Sequence, residues 1–445
     1  MINERISKLR KLMAKRNIDA YIVPSSDPHQ SEYLADYYKT RQFITGFTGS
    51  AGTAVITTKK SGLWTDGRYF IQAAKELSVG EVELYKMGVP DSISIEEFLL
   101  KEFPNGVAKI AFDGNNTSVA EYENLMRKLP NFEFITDVDY IGDIWNEEGR
   151  PAKPDSKVYI FDEKYSGEST SDRIARLRSM MKERGIDYHF IGSLDDIAYV
   201  LNIRANDVQC NPVVISYLLI SENTCNLYID KSKLSQEVAD YLKENNVSIK
   251  AYEVIARDIS DIEAKKTLYL ETKKTNVAVY SSIGRGVNVV TGLNLTSIMK
   301  CHKNEIEIKN TKNAFIKDGV ALVRYLNWLE TGVSTGTITE MIASEKLLEF
   351  RKQQDLFIED SFESISAYGA NASMPHYKPS HENPVKIEPR GLYLIDSGGH
   401  YLDGTTDITR TVALGKLKEE EIYHYTLVLK AHIALMEAKF LEGTN

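Results

Sequence analysis

Ile6, Leu9 and Met13 fall at helical spacing in an otherwise polar stretch, which then runs through a polar turn into the short apolar run Tyr21-Ile22-Val23. The same order of events recurs from Arg173: Ile174, Leu177 and Met181 lie at helical spacing, and His189-Phe190-Ile191 follows. Ile6/Ile174, Leu9/Leu177, Arg10/Arg178, Met13/Met181, Arg16/Arg184, Ile18/Ile186 and Asp19/Asp187 are identical between the copies. Two copies so far apart predict duplicated domains of similar fold; a solenoid would need several short periods. The first copy continues through strand patterns over 51–58 and 62–70 and a helix from Ala120. Two prolines and several charges from Gly149 onward mark a linker, so the first α/β domain is expected over 1–150 and the second over 151–303. The second should hold strands over 213–220 and 224–229.

Past residue 303 the pattern changes to long helices. Asn304 is a plausible N-cap, and Phe315, Leu322, Tyr325, Leu326 and Leu329 make one apolar face behind it. Thr337 with Glu340 has the spacing of a capping box before another helix. Strand and turn patterns follow Phe357, and a last helix is expected over 418–440, stopping at Gly443. The expected fold class is therefore α/β and α+β, with a third, helix-then-hairpin domain over 304–445.

Composition narrows the function classes. The chain has 445 residues, 42% hydrophobic and 26% charged, with a net charge of −9, so it carries no basic footprint for nucleic acid or an anionic membrane. No apolar run approaches the length of a membrane span, and the start is an amphipathic basic helix rather than a signal peptide. Cys210, Cys225 and Cys301 are scattered and odd in number, which predicts three small buried side chains without disulfides, in a reducing cytoplasm. The Lys/Arg cluster from Arg5 to Arg16 fits a solvated helix face.

The candidate chemistry is concentrated in G-L-Y-L-I-D-S-G-G-H-Y-L-D-G-T-T-D-I-T-R-T, 391–411. Asp396 and Asp407 lie there on an apolar, β-rich hairpin pattern, where carboxylates are poor core material and good ligands for hard cations. If Asp403-Gly404 forms the two-residue turn, position 396 faces 411. The two aspartates then share a face but stand four residues out of step, roughly 13 Å along the strand. A bulge at Gly398-Gly399 is the expected way to shorten that distance. Oxygen donors suit Mg, Ca or Mn, and an added imidazole brings in Fe, Co or Zn. Turn aspartates with no metal are the other reading of the same spacing. His376, in an irregular stretch rich in small residues, could shuttle a proton or donate to a carbonyl, or be a satisfied structural group. His381 and His400 share that ambiguity. Arg68, after an Asp-Gly turn, could clamp a ligand carboxylate, but pairing with Asp66 is the simpler expectation.

Taken together these residues resemble the three-domain Xaa-Pro aminopeptidases (aminopeptidase P), pita-bread metallopeptidases related to creatinase and prolidase. The resemblance spans the chain. It rests on F-I-T-G-F-T-G-S-A-G-T-A from Phe43, L-W-T-D-G-R-Y-F from Leu63, L-D-D-I-A-Y-V-L-N-I-R from Leu194, N-A-S-M-P-H-Y from Asn371 and Y-L-I-D-S-G-G-H-Y-L-D-G-T-T-D-I-T-R-T from Tyr393. It implies two creatinase-N-like domains followed by part of a pita-bread domain. It also implies a cytoplasmic enzyme, homodimeric when full length, that hydrolyses Xaa-Pro bonds of peptides with a penultimate proline. Two Mn(II) ions would be its cofactors. Asp396 would be a ligand of one metal ion and Asp407 of both, with His376 catalytic and near the scissile carbonyl and Arg68 touching substrate.

One departure is large. The family's remaining His and two Glu ligands belong to motifs C-terminal to this hairpin, and none of those motifs occurs here; His424 and His432 lie on a helix without them. The expectation is a chain truncated within its catalytic domain and inactive as it stands. A non-catalytic pita-bread scaffold that binds peptide or protein is the rival, and a creatinase-like C–N hydrolase a weaker third.

Overall fold

The computed structural model describes every residue except Glu442 and Asn445, so the expected end of the third domain lies outside the described residues. The chain divides into two compact units, Met1–Ile308 and Lys309–Asn445, and each is taken by itself.

The first unit holds two six-stranded sheets. Strands β1 (Ala20–Pro24), β2 (Thr53–Thr57), β3 (Ser61–Thr65), β4 (Val82–Lys86), β5 (Lys109–Ala111) and β6 (Glu133–Ile135) lie in the order β4-β3-β2-β1-β5-β6. After β7 (Tyr159–Ile160) come β8 (Tyr188–Ile191), β9 (Ile203–Arg204), β10 (Ser216–Ser221), β11 (Cys225–Ile229), β12 (Ser248–Lys250), β13 (Thr267–Leu270) and β14 (Asn288–Thr291). Short β7 and β9 pair with each other, and the second sheet has the order β12-β11-β10-β8-β13-β14. The two orders match strand for strand. In each sheet the strand that follows the repeated helix pairs antiparallel on one side and parallel on the other. The helices Ile2–Lys15 and Thr170–Glu183 bury the repeated Ile, Leu and Met. The duplicated α/β architecture expected from the repeat is the one observed.

Alternation along β1 sends Tyr21 and Val23 into one core and Ala20 and Ile22 into another on the opposite face. The strand expected over 62–70 ends at Thr65. Asp66 accepts a hydrogen bond from the Arg68 amide at 3.1 Å, closing a turn, and a helix starts at Phe70. The basic cluster on the first helix is not simply solvated: Arg5 pairs with Glu148, Arg10 with Glu81 and Arg16 with Asp137.

The cysteines correct another expectation. Only Cys225 is buried, and burial pushes its thiol up to about 12. Cys210 is half-buried and Cys301 exposed. No helix among the described residues is long and apolar enough to cross a membrane.

The second unit takes most of the long helix Glu305–Gly332, the helix Glu340–Lys352 and six strands: β15 (Phe357–Asp360), β16 (Ile365–Tyr368), β17 (Leu392–Ser397), β18 (Gly399–Tyr401), β19 (Gly404–Thr405) and β20 (Ile408–Ala413). They form two three-stranded sheets, β16-β17-β20 and β15-β18-β19. Asn304 caps the long helix as expected, its side chain accepting from the Glu307 amide at 2.8 Å. Leu322, Tyr325 and Leu329 are buried against Leu347, Tyr393 and Ile395. Phe315 is not: it is 44% exposed, and the buried positions at that end are Ala314 and Asp318, where the hairpin closes against the helix. The expected capping box does not form. Thr339, not Thr337, accepts from the Ile342 amide at 3.2 Å, leaving Glu340 inside the helix. The final helix runs Glu419–Glu437 with no residue buried.

Candidate metal centre

The hairpin is built differently from the sequence expectation. Tyr401 pairs with Gly404, so the two turn residues are Leu402 and Asp403. One register then holds along the whole hairpin, with His400 opposite Thr405, Ser397 opposite Ile408 and Asp396 opposite Thr409. The physical reason is burial of Asp403, which is 6% exposed. Its carboxylate accepts from Lys317 Nζ at 2.7 and 2.9 Å and from Asn313 Nδ2 at 2.6 Å on the long helix. Gly404 lies so close to that helix that a Cβ would fall 2.9 Å from Ala314 Cβ. It is a packing glycine rather than a turn glycine.

This register moves Asp407 opposite Gly398. Asp396 and Asp407 become diagonal neighbours on one face, two residues out of step instead of four, roughly 7 Å along the strand. No bulge at Gly398-Gly399 is needed; the irregularity in register is in β15, between Phe357 and Glu359. Gly398 is where the strand leaves one sheet for the other. A Cβ there would fall 2.0 Å from Thr406 O and 2.2 Å from Ser361 Oγ, and Thr406 is bonded to Gly399 through both its backbone amide and its hydroxyl, each at 2.9 Å.

Asp396 is half-buried on the central strand, and Thr409 Oγ1 donates to its Oδ1 at 2.7 Å. Burial pushes its carboxyl above the usual range. The Thr409 hydrogen bond opposes that, the charge of Asp407 adds to it, and His376 pulls the other way. Asp396 thus feels the charges of both Asp407 and His376. Asp407 itself is exposed. Behind the strand end, fully buried Arg351 donates from Nη2 to Ser397 Oγ at 3.0 Å and from Nε to Asp318 Oδ1 at 2.8 Å, and Tyr401 donates to the same Asp318 oxygen at 3.0 Å. The residue beside Asp396 is thus tied to both helices.

His376 follows the short helix Gly369–Ser373 and is half-buried. The loop that carries it is clamped by a residue the sequence reading assigned only to a cap. Glu340 is 1% exposed. Its carboxylate accepts from the Tyr368 amide at 2.6 Å, from Asn371 Nδ2 at 3.1 Å and from Tyr377 OH at 2.6 Å. Asn371 and Tyr377 flank His376 in the motif N-A-S-M-P-H-Y. The available signal was that a polar, glycine-poor loop of this kind needs an internal acceptor.

Arg68 lies in the first unit and forms the expected pair with Asp66, both contacts at 2.8 Å. His381 contacts Glu345 at 2.9 Å and His400 contacts Thr405 at 2.9 Å. Two clustered carboxylates fit a hard divalent cation by donor type, and a cation would relieve their mutual repulsion. Among the described residues no three His, Cys, Asp or Glu side chains come together as a metal-binding group, so the set is partial.

Comparison with known proteins fits this geometry. Residues 5–141 and 149–307 each match a model of the creatinase/prolidase N-terminal domain, and residues 309–445 match metallopeptidase family M24. Aminopeptidase P2 of Arabidopsis thaliana is 36% identical over 481 residues, covering 100% of this chain and 67% of that protein. A probable Xaa-Pro aminopeptidase P of Pyricularia oryzae is 38% identical over 461 residues, covering 100% of this chain and 74% of that protein. The crystal structure of an X-prolyl aminopeptidase from Caenorhabditis elegans, described as a cytosolic enzyme with a di-nuclear active site, matches with a TM-score of 0.94 at 35% identity. The match covers 100% of this chain and 75% of the worm chain. With two creatinase-type N-terminal domains ahead of an M24 metallopeptidase domain, the chain belongs to the Xaa-Pro aminopeptidase family.

Proposed function

We propose that this chain belongs to a manganese-dependent exopeptidase that releases the N-terminal residue of peptides with proline in second position. The observation that carries the reading is the diagonal placement of Asp396 and Asp407 on one hairpin face, within electrostatic reach of His376. Asp396 would hold one ion and Asp407 both, and bound metal would supply an acidified water and a polarised carbonyl. His376 would donate to the oxygen of the scissile carbonyl as charge develops there, held in place by the Glu340 clamp. Arg68, already oriented by Asp66, would take a substrate carboxylate or carbonyl. The domains would run 1–150, 151–303 and 304–445, in a cytoplasmic protein that dimerises when its catalytic domain is whole.

With two carboxylates and no third donor gathered among the described residues, the 445-residue chain by itself should bind Mn(II) weakly and cleave negligibly. The assay is release of the N-terminal residue from an Xaa-Pro-Pro peptide with added Mn(II), run on this chain and on the product of its whole gene. Turnover by the whole product alone supports the reading, and robust turnover by this chain refutes the claim of inactivity. The partial donor set also favours a second reading, a non-catalytic peptide-binding scaffold; no turnover by a metal-loaded whole product would select it.

A further inference from the structure

The two α/β domains of the first unit meet through matching parts. Ala20 in β1 faces Ile110 in β5, and Tyr188 in β8 faces Leu268 in β13, so Leu268 is the second domain's counterpart of Ile110. By the same count Asn276 is the counterpart of Ser118, Val277 of Val119 and Ala278 of Ala120. Ser118 and Asn276 form an antiparallel bridge with each other. Val119 N donates to Thr275 O at 2.9 Å, and its counterpart Val277 N donates to Thr117 O at 2.9 Å. Ala120 N donates to Thr272 O at 3.1 Å, and its counterpart Ala278 N donates to Gly114 O at 3.0 Å. Exchanging the two domains turns each bond of a pair into the other. That reciprocity is the property of an interface between two copies related by a twofold axis.

The pairing sits where an open α/β sheet ordinarily takes its ligand, beyond the carboxyl ends of the neighbouring parallel strands β1 and β5, and of β8 and β13. Each crevice is closed by the other domain. Val277 enters the core of the first domain, and Ala35 and Tyr38 of the first share a core with Leu194, Ala198 and Ile215 of the second. In the loop after β1, His29 is 1% exposed. Its Nδ1 lies 2.9 Å from Gly192 O and its Nε2 2.9 Å from Tyr252 OH. A carbonyl oxygen only accepts, so Nδ1 carries the proton and Nε2 accepts from Tyr252. Asn276 Nδ2 and Lys274 Nζ donate to Pro28 O and Gln30 O at 2.8 and 2.9 Å. The joint thus has an apolar core with its buried polar groups paired across it, the anatomy of a subunit interface. By contrast, Pro151, Ala152, Lys153 and Asp155 of the linker are exposed.

We propose that this joint is a self-sufficient docking interface: the first domain is held by the second as one copy of a dimer holds another, through the reciprocal 114–120/272–278 pairing and His29, and the covalent link through 151–155 is dispensable. The joint lies wholly in the first unit and does not depend on the peptidase reading.

The test places a protease site at 151–155 of the full chain and cuts it to completion. The two pieces should co-elute in one-to-one ratio on size exclusion down to about 1 μM. Two changes in the first domain remove contacts made only across the joint. Val119→Pro deletes one N–H of the pairing and is tolerated by its own helix, because Val119 is the first helical position and Ser118 before it is extended at φ −73, ψ 153. His29→Ala deletes the buried ring. Each should weaken the cut pair at least about tenfold, and together they should separate it at that concentration, in proteins whose circular dichroism before cutting matches wild type. Separation of the cut wild-type pieces at about 1 μM, or cut variants whose affinity stays within about twofold of wild type, would overturn the proposal.

Discussion

Glu340→Ala is the sharpest perturbation the second unit offers. The carboxylate is 1% exposed and takes three hydrogen bonds, from the Tyr368 amide, Asn371 and Tyr377. Removing it leaves three donors facing a void. Asn371 can still give a hydrogen bond to Tyr377 OH, now 3.0 Å away, so the side chains recover part of the loss. The Tyr368 N–H cannot turn. A stranded buried donor costs about 1–3 kcal/mol, and one such donor plus partial loss at two others gives about 3 kcal/mol of local stability. At 1.4 kcal/mol per factor of ten, amide exchange of Tyr368 and the 369–378 loop should speed up roughly a hundredfold. Hydrogen exchange read by mass spectrometry gives this segment by segment, with the first unit as internal control. Glu340→Gln keeps one acceptor and should show a clearly smaller effect. If exchange of the loop in the alanine variant stays within about twofold of wild type, Glu340 is not a clamp and the positioning of His376 must be explained otherwise.

Gly398→Ala should destabilise the second unit by about 2–4 kcal/mol, because the new methyl meets a backbone carbonyl oxygen rather than a mobile side chain; thermal unfolding of the two proteins measures it, and a neutral substitution would show that the strands cross less closely. Thiol titration at pH 8 should label Cys301 first and leave Cys225 untouched until unfolding, since only Cys225 is buried with its thiol pushed up to about 12; early loss of the Cys225 peptide signal would contradict the burial. Burial pushes the Asp113 carboxyl up to about 6 from 3.8, so its protonated form favours the folded state. Its contribution, at most about 3 kcal/mol, is full below pH 4 and is lost as pH rises through 6. Stability measured against pH should therefore fall more steeply over that window in wild type than in Asp113→Asn, and parallel curves would refute the shift.

Periodicity and repetition made the first unit legible: Ile6, Leu9 and Met13 and their second copies announced both domains, and the two sheets agree in strand order. In the second unit local rules misplaced details wherever a distant helix decided them. Asp403-Gly404 has the composition of a turn, but Lys317 and Asn313 bury Asp403 and draw the turn back to Leu402-Asp403. Glu340 sits at capping-box spacing from Thr337, yet its partners are 28 to 37 residues ahead along the chain. Long-range partners of this kind leave no periodic trace. The pairing of Arg68 with Asp66 was readable because both partners lie within one turn.

The anchored hairpin turn also limits how this stretch can change length over time. Facing side chains alternate with a period of two, so adding or deleting one residue between Tyr401 and Gly404 while the strands re-pair around a two-residue turn would send Asp396 and Asp407 to opposite sides of the sheet. Adding two lengthens the hairpin by one pair and leaves the aspartates in register, but pulls Asp403 off Lys317. The turn therefore has no neutral neighbours in length, although surface turns are ordinarily where insertions accumulate.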